Sequence, residues 1–408
     1  MSSSEFLTKL NDPDYWREFL SYRILHQRLS LADEKEFTDF INQKRYLPVA
    51  SQIQECSFPG EYPIKKTVNK EGVNKKRVVY SFSRDITMVL KLLSYHLYRF
   101  DSMLSPNCYA FRQSKSAGAA LRHILYHPKY RNMYCYKADI RDYFNSINPI
   151  RLMFQLEPIR QLDPGIYEVF RSILTESMVI EHGTEVADAH GAMAGLPIAP
   201  FFANWYLKDV DALFYEQGIP YFRYSDDILI FAPSPEELKC YQQMLAEELQ
   251  KLDLTINAEK ESVSAPHEKW EFLGFSYEDG TLDLSGNTLR KTKAKIRRKT
   301  HALMRWQRRK GLTPDKAAIG LIHTMNDKFY GDEEEDDFCW KRWFFPYLTT
   351  DRGLKEVDHY LQQYIRYCVT GRHNKGNYRI SYEQLKAWGY RSLVHEFYEE
   401  KHSISPEY

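Results

Sequence analysis

Six cysteines in 408 residues, at positions 56, 108, 135, 240, 339 and 368, form no Cys-x-x-Cys pair. That spacing fits neither a disulfide scaffold nor a zinc site, and it points to free thiols in a reducing cytoplasm. No apolar run approaches the roughly 20 residues that cross a bilayer, so no membrane association is expected. The opening "MSSSEFLTKLNDPDYW" lacks the apolar core of a signal peptide. An excess of one charge is missing too: 56 Lys and Arg offset 55 Asp and Glu, for a net charge of +1. The chain is no simple polycation, so contacts to a polyanion must come from local segregation of charge. Internal repeats and long low-complexity tracts are absent as well. Aromatic residues are plentiful, 15% of the chain within a 43% hydrophobic total. Such a chain folds, and its length suits two or three subdomains better than one core. The reading is a soluble cytoplasmic protein.

The texture changes along the chain. Residues 1–60 have helical period, through "DPDYWREFLSYRILHQRL" and "ADEKEFTDFINQK". "YPIKKTVNKEGVNKKRVVYSF" predicts two strands around a Gly- and Asn-containing turn with lysines at its tip. Helical spacing returns over 83–128. "MYCYKADIRDYF" then reads as a strand ending near Asp139, and "APFFANWYLKDVDALFYEQG" as one helix stopped at Gly218. A hairpin at 221–231 comes next. The following helix has Ser234 as its cap, Pro235 in its first turn and Glu237 completing a capping box. "LTIN" and "WEFLGFSY" read as short strands, and the chain is mostly helical after about 286. The acidic run "DEEEDD" at 332–337 suits an exposed loop. This order predicts an α+β fold, an antiparallel sheet with helices packed on it.

Within "YFRYSDDILIF", Tyr221–Tyr224 and Ile228–Phe231 can pair across a Ser-Asp turn, which puts Asp226 and Asp227 at a hairpin tip. Two carboxylates about 4 Å apart repel, more strongly in a partly dry site. One of them must then take up a proton unless a cation supplies the missing charge. Mg²⁺ suits oxygen ligands of this kind, with Mn²⁺ as the alternative. "YKADIRDYF" offers a third carboxylate, Asp139, at the end of another strand. If the two strands are neighbours, Asp139 faces Asp226 across two metal ions. Two such ions can activate a primer hydroxyl and hold a leaving pyrophosphate. An ordinary polar turn is the bland alternative for an isolated Asp-Asp pair.

These residues carry a family resemblance. "YSDD" resembles the YxDD box of reverse transcriptases, and "DIRDYF" their first palm motif. "CYAFRQSKSA" resembles the fingers motif of group II intron and retron relatives, "GAMAGLPIAPFFANWYL" the GxPQG-containing motif, "INAEKES" the motif with a lysine near the incoming nucleotide, and "FLGF" the primer grip. The likeness covers roughly residues 60–280. It implies a right-hand polymerase with an N-terminal helical extension (1–60), fingers (61–132), a palm (133–285, with 150–190 returning to the fingers), and a helical thumb and C-terminal region (286–408). The C-terminal "YRISYEQLKAWGYRSLVHEFYEE" resembles the tails of bacterial defence-associated reverse transcriptases of the abortive-infection-like "unknown group". That implies phage defence, with a structured non-coding RNA as template or partner and DNA as product. An accessory defence protein or a second copy of the chain is a further expected partner.

Carried over by position, Asp139, Asp226 and Asp227 match the catalytic carboxylates, with the Ile140 backbone carbonyl as a further metal ligand. Phe144 matches the steric gate, whose ring under the sugar excludes a ribose hydroxyl. Lys65 or Lys66, with Arg77, match triphosphate contacts, and Arg is suited to bidentate ones. Tyr224 and Lys260 match positions near the incoming nucleotide, with Lys260 a general acid or a phosphate contact. Arg112 of the fingers motif matches a nucleic-acid contact. One motif departs from the family: Met193 and Ala194 stand where Pro and Gln are usual. That puts fidelity or template choice in doubt at Ala194, which takes the place of the Gln beside the templating base pair.

"RKTKAKIRRKTHALMRWQRRK" (290–310) is about half Lys and Arg and holds no acidic residue. On a helix it presents Lys295, Arg297, Arg298 and Arg305 to a phosphate backbone, beside a stripe of Leu303, Met304 and Trp306. His123 and His127 stand four apart without a third ligand and read as packing or surface residues. The reading is an RNA-directed DNA polymerase. Two alternatives remain: a template-independent terminal transferase, and an RNA-binding scaffold that keeps the palm without its chemistry.

Overall fold

The computed structural model describes residues 4–27, 29–69, 76–331 and 339–404. The acidic run at 332–337 and the tip of the lysine-rich hairpin at 70–75 lie outside the described residues. The chain forms two compact units that divide between Pro266 and His267. Among the described residues no helix is long and apolar enough to cross a membrane. All six cysteines are unbridged.

The first unit opens with helices α1 (Glu5–Leu10), α2 (Pro13–Gln27), α3 (Leu31–Asn42) and α4 (Tyr46–Gln54). Trp16 is their shared anchor. Its ring stacks on Tyr46 at 5.2 Å and meets Phe40 edge-on, and its indole N–H donates to the Leu10 carbonyl. Helices α5 (Arg84–His96), α6 (Ala117–Leu125), α7 (Tyr143–Ser146), α8 (Pro149–Gln155), α9 (Glu157–Leu162) and α10 (Pro164–Leu174) follow. Then come α11 (Ala199–Tyr206), α12 (Lys208–Glu216) and α13 (Pro235–Lys251). The single helix expected over 199–217 is two segments that meet at Leu207. Ser234 caps α13 by accepting from the Glu237 N–H, while the Glu237 carboxylate accepts from Tyr241 rather than closing a capping box.

Among the described residues, eight strands make two sheets in this unit: β1 (Ile64–Asn69), β2 (Lys76–Ser81), β3 (Tyr134–Asp139), β4 (Met178–Glu181), β5 (Thr184–Ala187), β6 (Tyr221–Tyr224), β7 (Asp227–Ala232) and β8 (Ser262–Ser264). The β4–β5 hairpin was not expected as strands. It joins the lysine-rich hairpin in the order β2-β1-β4-β5. The second sheet runs β6-β7-β3-β8, all antiparallel. Its β7 buries every residue from Ile228 to Ala232, the continuous apolar run of a strand covered on both faces. "LTIN" contributes a single bridge, Ile256 to Ile140, rather than a strand.

The second unit starts with β9 (Trp270–Phe272), β10 (Phe275–Glu278) and β11 (Thr281–Leu284), an antiparallel meander. "WEFLGFSY" is thus a hairpin, not one strand. Leu273 and Gly274 both take positive φ at its turn, which suits two-residue hairpin loops. This sheet groups with the helices that follow it and not with the strands of the first unit. Helices α14 (Gly286–Arg309), α15 (Pro314–Tyr330), α16 (Trp340–Trp343), α17 (Arg352–Thr370), α18 (Tyr382–Ala387) and α19 (Leu393–Ile404) complete it, with α14, α15 and α17 packed pairwise.

The C-terminal motif folds onto one buried carboxylate. Asp358 of α17 accepts from the Leu393 and Val394 N–H groups at the start of α19, at 2.9 and 3.2 Å. It also accepts from the Tyr390 and Ser392 hydroxyls, at 2.8 and 2.6 Å. Four donors converge on one side chain that water does not reach. We expect Asp358→Ala to cost about 2–4 kcal/mol, since each donor left unsatisfied costs about 1–3 kcal/mol and some recover water. Urea denaturation followed by circular dichroism measures the loss.

Candidate active site

Register brings the acidic residues together. β3 and β7 are adjacent and antiparallel, and Asp139 sits directly opposite Asp227. The β6–β7 turn is two residues long, with Tyr224 opposite Asp227 and Ser225 at φ 62°. Asp226 is its second residue, and its carbonyl accepts from the Ile140 N–H at 3.0 Å. The end of β3 is held on its other side as well. The Asp139 carbonyl accepts from Asn257 N–H at 2.7 Å, and Arg141 N–H donates to Thr255 at 2.9 Å. Ile140 is buried by this clamp. Asp139, Asp226 and Asp227 therefore lie on one rim of one sheet.

Two lysines face this rim. Lys260 Nζ lies 2.5 Å from Asp139 Oδ2, and Lys137 Nζ lies 3.6 Å from Asp227 Oδ1. Asp227 Oδ1 is buried and has no hydrogen-bond partner. Burial, with Asp226 and Asp139 nearby, pushes the Asp227 carboxyl up to about 6 against the pull of Lys137 and Lys260. The orphaned oxygen and the hard oxygen donors fit a divalent cation such as Mg²⁺. Among the described residues, no three ligating side chains are already gathered around one point.

Beneath the turn lies a pair that sequence reading missed. Arg223 and Asp211 are both 0% exposed and meet in a two-pronged ion pair at 2.7 and 2.5 Å. The rest of the guanidinium is also satisfied. Arg223 Nη1 donates to the Ser225 carbonyl at 3.1 Å and to Asn204 at 3.4 Å, and Nη2 reaches Cys108 Sγ at 3.1 Å. Tyr221 donates to Asp211 at 3.0 Å. The Arg223 backbone exchanges bonds with Asn107 and Tyr109, which fastens the "CYAFRQS" segment to β6. The available signal was a charged residue inside an otherwise apolar strand, with an acidic residue on the helix before it.

Strand alternation sorts the basic residues of the β1–β2 hairpin. Lys65 pairs with Tyr80, and Val68 with Arg77, so Lys66 and Arg77 share the opposite face. Arg77 lies 5.6 Å over the Phe144 ring. Phe144 in turn meets Phe111 edge-on at 6.4 Å, and Phe111 meets Tyr224 at 6.4 Å. Lys65 is a correction to the phosphate-binding expectation. Its ammonium bonds Asp188 at 2.8 Å, with Glu181 at 3.7 Å, and the bond to Asp188 raises its pKa. Asp188 also accepts from Tyr80, so Lys65 serves the sheet.

Ala194 needs the same correction. Met193 and Ala194 are buried, and the Ala194 carbonyl accepts from Tyr80 N–H at 2.8 Å. The segment is wedged between two backbones. A Cβ on Gly191 would meet the Phe144 carbonyl at 2.3 Å, and one on Gly195 the Tyr80 carbonyl at 2.9 Å. Arg112 points inward rather than toward nucleic acid. Its side chain is 7% exposed and donates to the carbonyls of Asp101, Ser105 and Cys108, which close the loop before it. His123 is exposed and bonds Tyr109 at 2.6 Å.

In the second unit, α14 buries Thr292, Ile296, Thr300 and Met304 at four-residue spacing. The expected stripe of Leu303, Met304 and Trp306 therefore breaks up, and Trp306 is 38% exposed. Lys295, Arg298 and Arg305 line a groove of about 560 Å³, and Arg297 is exposed on the same helix.

Two measurements follow. Folded protein holds the Asp227 proton more tightly than the unfolded chain, so this group favours folding below about pH 4 and loses that contribution as pH rises through about 6. In EDTA at pH 7.5, Asp227→Asn should therefore raise stability, by at most about 3 kcal/mol at ~1.4 kcal/mol per pKa unit. Lower stability than wild type at that pH would contradict this account of the site. At the buried pair, Arg223→Met should destabilise by about 3–5 kcal/mol because it leaves Asp211 uncompensated. Arg223→Met with Asp211→Leu should recover most of that loss in urea titrations.

A family model described as "Reverse transcriptase (RNA-dependent DNA polymerase)" matches residues 65–277. No curated protein sequence matches the chain. Among solved structures, the apo telomerase of Candida tropicalis truncated from its C-terminal domain aligns with a TM-score of 0.43 and 15% identity, over 55% of each chain. Telomerase of Candida albicans in complex with a fragment of telomeric RNA aligns with a TM-score of 0.42 and 12% identity, over 89% of this chain and 70% of that one. The present chain spans 55% of the truncated telomerase. The family match takes in more than half of the 408 residues, and the chain belongs to the reverse transcriptases, the RNA-dependent DNA polymerases.

Proposed function

We propose that this reverse transcriptase extends a primer 3′ end with deoxynucleotides, copying an associated structured non-coding RNA, and that it acts in bacterial defence against phage. The observation that carries the polymerase chemistry is the register of Asp139 against Asp227 beside Asp226 at the turn. The defence role is supported by the likeness of the C-terminal "YRISYEQLKAWGYRSLVHEFYEE" to the tails of such enzymes. An accessory defence protein or a second copy of the chain belongs to the same proposal.

Asp139, Asp226 and Asp227, with the Ile140 carbonyl, would hold two Mg²⁺ ions, or Mn²⁺ in their place. Bound there, such ions lower the pKa of the attacking hydroxyl and neutralise charge on the transferred phosphate. Arg77 and Lys66, on one face of the β1–β2 hairpin, would hold the triphosphate. Phe144 would sit under the sugar, braced by Phe111 and Tyr143, with Tyr224 beside it through Phe111. Lys260, salt-bridged to Asp139, would donate a proton or a charge to the leaving pyrophosphate. Lys295, Arg297, Arg298 and Arg305 would follow the nucleic-acid backbone.

The lysine partners of Asp139 and Asp227 favour a second reading, a scaffold whose palm stands without metal. Primer extension with the cognate RNA separates the two. Asp226→Ala with Asp227→Ala should abolish incorporation while RNA binding persists. Equal incorporation by that variant refutes the polymerase mechanism, and wild-type protein that binds RNA without incorporating supports the scaffold. Phe144→Ala should cut discrimination against ribonucleotides by about 10-fold or more, since a steric exclusion of about 1.4 kcal/mol or more is removed.

A further inference from the structure

The second unit holds another acid-free tract besides 290–310. Residues 359–379, "HYLQQYIRYCVTGRHNKGNYR", contain no Asp or Glu and include Arg366, Arg372, Lys375 and Arg379. The fold puts the two tracts side by side, because α17 packs on α14. Tyr360, Tyr364 and Tyr367 recur at helical spacing along one face of α17, all half-buried. Their rings form a series. Tyr360 and Tyr364 lie 4.7 Å apart, and Tyr364 and Tyr367 5.9 Å. Gly371 ends α17 at φ 66°, where the chain turns back. That turn lays the exposed His373 flat on Tyr367, at 4.0 Å and 9°. From α14, His301 meets Tyr367 edge-on at 5.9 Å. His301 also lines the groove with Lys295, Arg298, Lys299 and Arg305. Among the described residues, no acidic side chain pairs with Lys295, Lys299 or Arg305.

A cationic groove running into a row of stacked rings is the arrangement that takes unpaired bases. Cations follow the phosphates while the rings receive base faces. A duplex hides its base faces and offers only its backbone, so the rings would add nothing to duplex binding. We infer that the α14–α17 face, through Tyr364, Tyr367 and His373 beside the groove of Lys295, Arg298 and Arg305, is a stacking platform for single-stranded RNA. This deepens the nucleic-acid role proposed for α14 and rests on it. The bland reading of the ring series, packing between two helices, accounts for Tyr360 and Tyr364. It does not account for an exposed imidazole lying flat on Tyr367.

The test is fluorescence anisotropy of the full chain in EDTA, with a labelled uridine-rich 12-nucleotide RNA and a duplex RNA of equal length. Tyr367→Leu with His373→Ala should weaken single-strand binding by about 10-fold or more and leave duplex binding within about twofold. Tyr367→Phe keeps the ring and should bind as wild type. Lys295→Ala with Arg305→Ala should lower the slope of log affinity against log salt by about 1.4, for two lost phosphate contacts. Unchanged single-strand affinity in the ring variants overturns the platform, and so does a parallel loss for single strand and duplex. If the double ring variant does not fold, His373→Ala alone, at an exposed position, carries the same comparison. Primer extension on a short unstructured template, run beside it, keeps the two readings apart. Ring-dependent binding without extension leaves the platform standing and the proposed polymerase chemistry fallen, and extension with ring-independent binding does the reverse.

Discussion

A guanidinium and a carboxylate out of reach of water hold the acidic rim in place. Desolvating Arg223 and Asp211 costs several kcal/mol per ion, and the fold recovers it only because the pair is two-pronged and its remaining valences are used. Those valences reach the Ser225 carbonyl in the turn, Asn204 on the helix before it, and Cys108 in the preceding loop. One side chain thus ties three separate stretches to the residue before Asp226. A neutral residue could fill the volume, but it could not aim a carbonyl, a carboxylate and an amide at one point. The turn needs such support because Ser225 holds a positive φ without the freedom of glycine.

The rim above that joint is costly by design. Three carboxylates face one another, and burial raises Asp227 toward neutrality. Lys260 and Lys137 supply part of the missing charge from the side, which lets the sheet close. The buried Asp227 oxygen that no hydrogen bond satisfies adds to that cost. The hairpin divides its cations in the same spirit. Lys65 is consumed by Asp188 to stabilise the four-stranded sheet, and Arg77 stays over Phe144. Adjacent lysines with identical chemistry thereby come to stand on opposite faces of the hairpin.

The second unit separates its surfaces more simply. Thr292, Ile296, Thr300 and Met304 turn inward along α14, and the basic residues are left on the outer arc. Asp358, the acid closest to the tyrosine series on α17, is spent inside on the cap of α19. A net charge of +1 therefore coexists with two acid-free stretches in this unit, and Glu356 of α17 is taken up by Lys293 of α14.

The chemistry was legible in order along the chain. Asp139 at a strand end, the Asp226–Asp227 turn and the acid-free stretch at 290–310 were each read from local pattern. Period-2 and period-3.6 spacing, with caps and turns, depend on neighbours in sequence. What the chain could not disclose is what depends on partners far away in it. Arg112 looked like a nucleic-acid contact, yet it closes its own loop. Arg223 went unread because its partner Asp211 is on another element. Lys65 and Lys66 could not be told apart until β4 and β5 brought Asp188 and Glu181 to one face of the sheet. Residue order alone settles which groups are present and how each element alternates its faces. Only the tertiary structure decided which charges are neutralised inside and which are left for a ligand, because ion pairing and desolvation act through space and not along the chain.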